Sequence, residues 1–202
     1  QIATVSPWHV DFIKAINPHT HLIYNGFDPA QFYPQNISSD IFQIVYIGKI
    51  YKFQSMHLLE QAIQQLNLPN LQLALHTPDH QLIAIHEVGD ELRQSSIAIV
   101  LTNPNAKGIM TTKFFEALGC EKPVLCIPSD NGELAQTIRK TNAGLASSDI
   151  NEIKAFILEK YQEWKQNGYT RQNVIGKEQF SRQEQAKQFE QLFLQCISEW
   201  KK

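Results

Sequence analysis

The stretch "GIMTTKFFEALGCEKPVL", residues 108–125, decides the fold because it joins a polar loop, a short helix and a buried strand. Its apolar residues predict a helix over Thr112 to Leu118 with a buried aromatic face. The run "PVLCIP" that follows is continuously apolar, which is typical of a strand covered on both faces in a parallel sheet. We expect Lys113 and Glu116 to occupy the exposed face of this helix.

Strand and helix patterns alternate along the rest of the chain. Apolar runs predict strands at "HLIYN", "FQIVYIG", "LQLALH", "IAIVLT", "PVLCIP" and "GLAS". Amphipathic stretches predict helices at Pro7 to Ile16, Met56 to Leu66, Asp90 to Ser95, Thr112 to Leu118, Glu133 to Lys140, Ile150 to Trp164 and Glu184 to Trp200. This order indicates an α/β fold with a doubly wound, Rossmann-like parallel sheet and a C-terminal helix.

The length fits one domain over residues 1–202, with a C-terminal helical segment over residues 174–202 that follows the joint "KQNGYTRQN". The last helix carries one apolar stripe: Ala186, Phe189, Leu192, Phe193, Cys196, Ile197 and Trp200. We expect this stripe to pack on its own domain. The alternative is that part of it packs against a domain outside this chain.

Composition excludes several classes of protein. With a net charge of -2 and 19% charged residues, the chain lacks the basic character of a nucleic-acid-binding protein, and we expect no nucleic-acid partner. Three cysteines without a CxxC motif argue against a disulfide framework and favour a reducing, cytoplasmic setting. The sequence has no membrane-spanning apolar run. It begins without Met in a strand-like segment, and we expect it to be a fragment.

In a doubly wound sheet, ligands bind at the carboxyl ends of the strands, and three loops there carry polar residues. The first, "YIGKIYKFQ", has Gly48, which permits close backbone approach, and the cation of Lys49; a tight turn with a solvated lysine is the alternative. The second, "LTNPNAKGIMTTK", is long for such a connection, which favours binding. In the third, Ser129 or Asp130 can cap the next helix, a structural role.

The helix that ends the second loop suits an anion. Thr111 or Thr112 can cap it, and its free N–H groups and dipole attract negative charge. Lys113 is unfavourable at this end of a helix unless an anion binds there. Glu116, one turn further, can accept hydrogen bonds from hydroxyls such as a ribose diol. The alternative is an exposed Lys113–Glu116 pair of little energetic weight.

Other chemistry has less support in the sequence. The glycines form neither the GxGxxG dinucleotide motif nor the GxxxxGK phosphate loop, and there is no DxD motif to hold a metal with a diphosphate. Pro78 interrupts any helix that would align the crowded residues His76, Asp79, His80 and His86, so we expect no metal site. No His and Asp partners can be assigned to the possible nucleophiles Ser6, Cys120 and Ser129.

Several segments together resemble the C-terminal domain of the GT-B glycosyltransferases, the large retaining group that uses nucleotide-sugar donors. The opening, "TVSPWHVDFIK" with "HLIYNGFDPAQFYP", resembles the start of that domain. "IVYIGKIYKFQSMHLLEQA" resembles its "GR" loop with Lys49 in place of arginine. "IHEVGDELRQSSIAIVLT", "TTKFFEALGCEKPVLCIPSDNGELAQTI" and "FSRQEQAKQFEQLF" are similar to the base-contacting segment, the donor helix with the next strand, and the closing helix. The resemblance covers essentially the whole chain.

The resemblance implies a donor domain that binds a nucleotide-diphosphate sugar for glycosyl transfer to a saccharide or lipid-linked acceptor, in polysaccharide or glycoconjugate synthesis. It assigns the nucleotide sugar to Gly48, Lys49, Val88, Thr112, Lys113 and Glu116. Lys49 and Lys113 would act in catalysis by neutralising the departing diphosphate, and Glu116 would hold the ribose. It implies no cofactor and no metal. The acceptor-binding N-terminal domain is an expected partner, and the full-length protein is a candidate for peripheral membrane association.

Two departures from the family motif leave other functions open. Gly108 stands where the family has a glutamate that touches the donor sugar, and Gln54 stands where it has a phosphate-binding lysine. The chain alone is therefore expected to bind a donor without transferring sugar. One alternative is a module that kept the fold and lost catalysis. The other is a GT-B enzyme of another kind, such as a nucleotide-sugar epimerase, for which we find no acid–base set.

Overall fold

A computed structural model describes residues 1–105 and 107–200 of the chain; Ala106, Lys201 and Lys202 lie outside the described residues. The strands are β1 (Ile2–Thr4), β2 (Thr20–Leu22), β3 (Phe42–Ile47), β4 (Leu71–His76), β5 (Ile97–Leu101), β6 (Val124–Ile127) and β7 (Gly144–Ala146). The α-helices are α1 (Pro7–Lys14), α2 (His57–Leu66), α3 (Val88–Gln94), α4 (Thr112–Gly119), α5 (Glu133–Lys140), α6 (Ile150–Asn167) and α7 (Arg182–Trp200). Two short 3-10 helices, Ile85–Glu87 and Lys177–Phe180, complete the list.

The main sheet confirms the predicted doubly wound α/β fold. Five strands lie in the order β4-β3-β5-β6-β7, and every neighbouring pair is parallel. From β3 the chain crosses to one side to form β4, then returns past β3 and builds the other half outward from β5. The direction of winding therefore reverses between β3 and β5, which is where ligands bind in such sheets.

Alternating side chains of the strands divide the core into two layers. On one face Phe42 and Ile44 of β3 pack with residues of α2 and α6, including Leu59 and Trp164. On the other face Val45 packs with residues of α3, α4 and α5, including Leu92, Phe114, Phe115 and Leu134. Because both faces are covered, the strands read as continuous apolar runs rather than as alternating ones.

The predicted strand "HLIYN" lies outside the main sheet. The structure has a strand over Thr20–Leu22, paired in parallel with Ile2–Thr4 in a separate two-stranded sheet. After it, the backbone turns into the C-terminal region rather than into a hairpin. The Phe27 N–H donates to the Phe180 carbonyl, and the Arg182 N–H donates back to the Phe27 carbonyl.

The expectation that the stripe on α7 packs on its own domain is wrong for most of the stripe. Only Leu192 of this helix is buried, whereas Phe193 and Trp200 are 60% and 87% exposed. The opposite side of α7 carries Gln188, Gln191 and Gln195, which with Leu192 border β2 across a groove. Polar side chains thus face the neighbouring sheet, and the apolar stripe is left on the surface.

Candidate functional site

The reversal of the sheet between β3 and β5 creates a crevice at the carboxyl ends of these strands. Gly48 directly follows β3, and the loop from Thr102 to Thr111 leads from β5 into α4. The N-terminus of α4 therefore faces the end of β3 across this crevice. The sequence-predicted residues Gly48, Thr112 and Lys113 meet here.

Gly48 makes room for a lysine. Its φ of +119° lies in the region that favours glycine, and its N–H donates to the His76 carbonyl at 2.8 Å. A Cβ placed on Gly48 would lie 2.6 Å from Cε and 2.8 Å from Nζ of Lys113. The glycine thus lets the Lys113 side chain lie directly over the backbone at the end of β3.

Lys113 is a partly buried cation. Its Nζ lies 5.7 Å from the centroid of the Tyr46 ring, and among the described residues it has neither a hydrogen bond nor an ion pair. Burial lowers the pKa of Lys113, and the charge of Glu116 partly opposes that effect. The predicted exposed position is wrong, because the helix turns this side chain towards the end of the sheet.

Glu116 is half-buried as well. Burial raises the pKa of its carboxyl group, with Lys113 and then Arg182 acting in the opposite direction. Within the described residues its carboxylate accepts no hydrogen bond and lies beyond 4.0 Å from any cationic nitrogen. The alternative of an exposed Lys113–Glu116 pair is therefore also wrong, since both groups are partly desolvated and they form no direct ion pair.

The N-terminus of α4 has unused donors. Thr111 is the N-cap residue in an extended conformation, and its side chain makes no capping hydrogen bond. Thr112 is exposed, and in the described part of the chain the backbone N–H groups of Thr112 and Lys113 meet no acceptor. Free N–H groups, the helix dipole and a lysine at one point form a favourable environment for an anion.

Val88 lies on the other side of Lys113. It begins α3 after the 3-10 helix Ile85–Glu87 and is half-buried. With Ile47 and Leu92 it lines a narrow crevice that Lys113 and Glu116 close. An apolar floor next to a carboxylate is a suitable surface for a planar, polar-edged group.

Lys49 is placed differently from Lys113, although the sequence treated the two alike. Its side chain is exposed, with Nζ 5.6 Å from the centroid of the Tyr51 ring. Its backbone carbonyl accepts a hydrogen bond from the Tyr46 hydroxyl at 2.7 Å. Lys49 therefore lies outside the cavity, and Tyr51 lies at the cavity wall beside it.

A cavity of about 410 Å³ opens beside the N-terminus of α4, and we call it the switch-point cavity. Sequence reasoning did not assign most of its lining to the site. The lining residues are Tyr46, Tyr51, Phe53, Gln54, Leu101, Thr102, Ile109, Thr111, Thr112, Lys113 and Asp130. The aromatic run "YKF" close after the "GK" turn was the available indication that this loop contributes a wall.

The two departures from the family motif have clear structural settings. Gly108 has a φ of +73°, and a Cβ there would lie 3.0 Å from Trp8 and His9 side-chain atoms. A side chain at this position would therefore require Trp8 and His9 to shift. Gln54 is held at both ends, because its Nε2 donates to the Leu101 carbonyl and its Oε1 accepts from the Tyr51 N–H.

The remaining sequence candidates have structural roles. His76 hydrogen-bonds to Glu91 and to the Gln81 carbonyl, and the described residues contain no group of three or more side chains arranged to hold a metal ion. Asp130 accepts hydrogen bonds from two N–H groups in the first turn of α5, as the predicted capping role requires, although Gly132 is the N-cap residue. In the described part of the chain, no helix is long and apolar enough to cross a membrane.

Comparison with solved structures places the fold. The chain superposes on the Anabaena protein HepE (Alr3699) in complex with UDP-glucose, with a TM-score of 0.67 and 14% identity over 94% of this chain and 63% of that one. HepE in complex with UDP and glucose gives a TM-score of 0.66 at 14% identity, over 96% of this chain and 62% of that one. The chain thus spans less than two thirds of HepE.

A third similar structure is the C-terminal domain of the group 1 glycosyltransferase LpcC from Francisella tularensis. It gives a TM-score of 0.53 and 16% identity over 71% of this chain and 95% of that domain. No protein-family model and no curated protein matches the sequence. The evidence for relationship is therefore the fold, and the chain has the fold of the C-terminal domain of a GT-B glycosyltransferase.

Proposed function

We propose that the chain is the donor domain of a glycosyltransferase and binds a nucleoside-diphosphate sugar at the reversal of the sheet. The base lies against Val88, and the ribose hydroxyls donate to Glu116. The diphosphate lies over Gly48 at the N-terminus of α4, beside Lys113. The observation that carries this proposal is the half-buried Lys113 and Glu116, which lack partners in the described structure.

Both charges are costly in the absence of a ligand. Desolvation lowers the pKa of Lys113 and raises that of Glu116, so the free protein disfavours the ionised form of each side chain. A diphosphate next to Lys113 and a diol next to Glu116 would supply the missing partners. Perturbed titratable groups in a cleft are typical of functional sites.

The comparisons support this proposal at the level of ligand class. HepE, which has the same fold, was crystallised with UDP-glucose, and its second structure holds UDP and glucose. Catalysis in our proposal is electrostatic: Lys113 and the N-terminus of α4 stabilise the charge on the departing diphosphate. Lys49 acts from outside the cavity wall, where its flexible side chain can reach a bound phosphate. The proposal requires neither a cofactor nor a metal.

Transfer requires an acceptor, which we assign to an N-terminal domain that this chain does not include. The chain alone is then expected to bind the donor without transferring sugar. The acceptor is a saccharide or a lipid-linked saccharide, in polysaccharide or glycoconjugate synthesis. Peripheral membrane association of the full-length protein and a cytoplasmic location belong to the same proposal.

A second candidate is a binding module that has lost transfer. Two observations favour it: the backbone of Gly108 is packed against Trp8 and His9, and the side chain of Gln54 is engaged at both ends. Neither position can supply the family's carboxylate or cation without rearrangement. Both candidates predict nucleotide binding, and only the first predicts transfer when the chain is joined to its acceptor domain.

A thermal-shift panel with UDP, GDP, ADP and CDP tests the proposal. A ligand at about a hundred times its dissociation constant adds about 2.7 kcal/mol to stability, which raises the midpoint of a chain of this size by roughly 5 to 10 °C. We expect such a shift with one base. No shift with any of the four diphosphates would contradict the proposal.

Glu116→Gln locates the site, with Glu60→Gln on the exposed face of α2 as the matched control. Because burial raises the pKa of Glu116, removing its charge should leave the free protein at least as stable. We expect at least a tenfold loss of diphosphate affinity in Glu116→Gln and none in Glu60→Gln. A loss of stability without a loss of affinity would instead indicate a structural role.

A further inference from the structure

The outer wall of the switch-point cavity is apolar. Tyr51 and Phe53 stack with their ring centroids 5.6 Å apart and their planes 7° apart, and they are 49% and 53% exposed. Ile109, on the loop that precedes α4, is 50% exposed and lines the same cavity. Three large apolar side chains around one cavity form a surface that a ligand can cover.

The polar side chains deeper in the cavity are already engaged. Tyr46 donates to the Lys49 carbonyl, and Thr102 donates to the Pro128 carbonyl. Gln54 uses both ends of its amide, and each carboxylate oxygen of Asp130 accepts a backbone N–H of α5. In the described part of the chain, the free hydroxyls in the lining belong to Thr111 and Thr112, next to the proposed phosphate position.

Lys113 connects the two parts of the site. It lines both the crevice that contains Val88 and Glu116 and the cavity that contains Tyr51 and Phe53. A nucleotide sugar with its base at Val88 and its diphosphate at Lys113 therefore extends its glycosyl group into the switch-point cavity. The glycosyl group meets few free polar groups there and an aromatic wall.

We propose that the donor sugar carries a methyl group, as a 6-deoxyhexose or an N-acetylhexosamine does, and that Tyr51, Phe53 and Ile109 select it. This inference rests on the proposed function. A methyl group against Phe53 or Ile109 gains contact with an apolar surface, whereas a hydroxyl in its place loses water without gaining a partner. Selection therefore comes from both terms, and Gly108 adds no carboxylate that would favour a hydroxyl.

Calorimetric titration of the chain with matched donors tests the inference. UDP-N-acetylglucosamine is compared with UDP-glucose, and GDP-rhamnose, the 6-deoxy sugar, with GDP-mannose; UDP and GDP alone serve as references. We expect the methyl-bearing sugar of one pair to bind about tenfold more tightly than its partner, equivalent to about 1.4 kcal/mol. The pair that shows this ratio identifies the source of the methyl group.

Substitutions assign the preference to the wall. Phe53→Ser and, from the opposite side of the cavity, Ile109→Ser should each reduce the tenfold ratio towards one. Phe193→Ser is the matched control, because it removes a similarly exposed phenylalanine from α7, away from the cavity. Circular dichroism of each variant checks the fold, and two independent wall variants keep the test valid if one of them misfolds.

The outcomes separate the two proposals. Binding of UDP or GDP with equal affinity for both sugars of each pair would overturn this inference and leave the proposed function intact. A preference that survives in both wall variants would also overturn it, because the selection would then lie elsewhere. Absence of binding by either free diphosphate and by every donor would contradict the proposed function itself.

Discussion

Replacing Gly48 with alanine should displace Lys113 without touching it chemically. The new Cβ would lie 2.6 Å from Cε and 2.8 Å from Nζ of Lys113, well inside van der Waals contact. The lysine must withdraw by about 1 Å to reach an ordinary separation. It thereby loses its position at the N-terminus of α4, where we place the diphosphate.

Two effects of different kind follow from this substitution. An alanine at a φ of +119° strains the backbone, which costs about 1 to 3 kcal/mol of folding stability. A displaced cation weakens a charge-assisted contact worth about 1.5 to 3 kcal/mol, so diphosphate affinity should fall at least tenfold. Stability is measured by urea unfolding and affinity by calorimetric titration.

Gly176→Ala is the matched control. Gly176 also has a positive φ, of +65°, and the nearest atom to an added Cβ is the side-chain nitrogen of Gln179 at 3.1 Å. It precedes the 3-10 helix Lys177–Phe180, outside the switch-point cavity. This variant should lose stability through backbone strain and keep the affinity of the parent chain.

A double-mutant cycle with Lys113→Met tests the cause. If Gly48→Ala acts through the lysine, the double variant should bind no more weakly than Lys113→Met alone. Additive losses, or an unchanged affinity in Gly48→Ala, would refute the reasoning that the glycine positions the lysine.

Three further substitutions test the scaffold. Lys122→Met should raise the free energy of unfolding at pH 7 by about 3 kcal/mol, because burial lowers the pKa of Lys122 from 10.5 to about 8; since the unfolded chain binds the extra proton between these values, wild-type stability gains with rising pH and the advantage should vanish above pH 10.5 in paired urea titrations. Asp130→Ala should cost about 1 to 2 kcal/mol in urea unfolding, because two N–H groups at the start of α5 lose their acceptor, and a loss below 0.5 kcal/mol would contradict this. Gly144→Ala should cost about 4 kcal/mol or abolish folding, since a Cβ would lie 2.0 Å from the Val124 carbonyl oxygen, and a soluble variant with an unchanged thermal midpoint would contradict the β6–β7 pairing.

The sheet could be predicted because its strands are buried on both sides. Continuous runs such as "FQIVYI" and "VLCI" occur where helices cover both faces, and the predicted ranges agree with β3 and β6 to within one or two residues. The run "HLIYN" has the same character, but its partner is β1 rather than the main sheet. Composition alone does not specify which strand a short apolar run pairs with.

The site could be predicted only in part, because its geometry depends on contacts between distant segments. The motif order brings Gly48 and Lys113 to one place, but the contact between them depends on the end of β3 meeting the start of α4. Helical periodicity placed Lys113 and Glu116 on the solvent face, whereas the crevice partly buries both of them. For the same reason, Lys49 and Lys113 were indistinguishable in the sequence and differ in the structure.

The most direct test of the central claim is to map the amides that respond to a nucleoside diphosphate. In ¹⁵N-edited NMR spectra of the chain titrated with whichever diphosphate binds, we predict the largest shifts at Gly48, at Val88 and over Thr112 to Glu116. These amides come from three separate segments that the fold brings to one edge of the sheet. Shifts confined to α7 or to the C-terminal region, with no change at Gly48 and Thr112, would contradict the account.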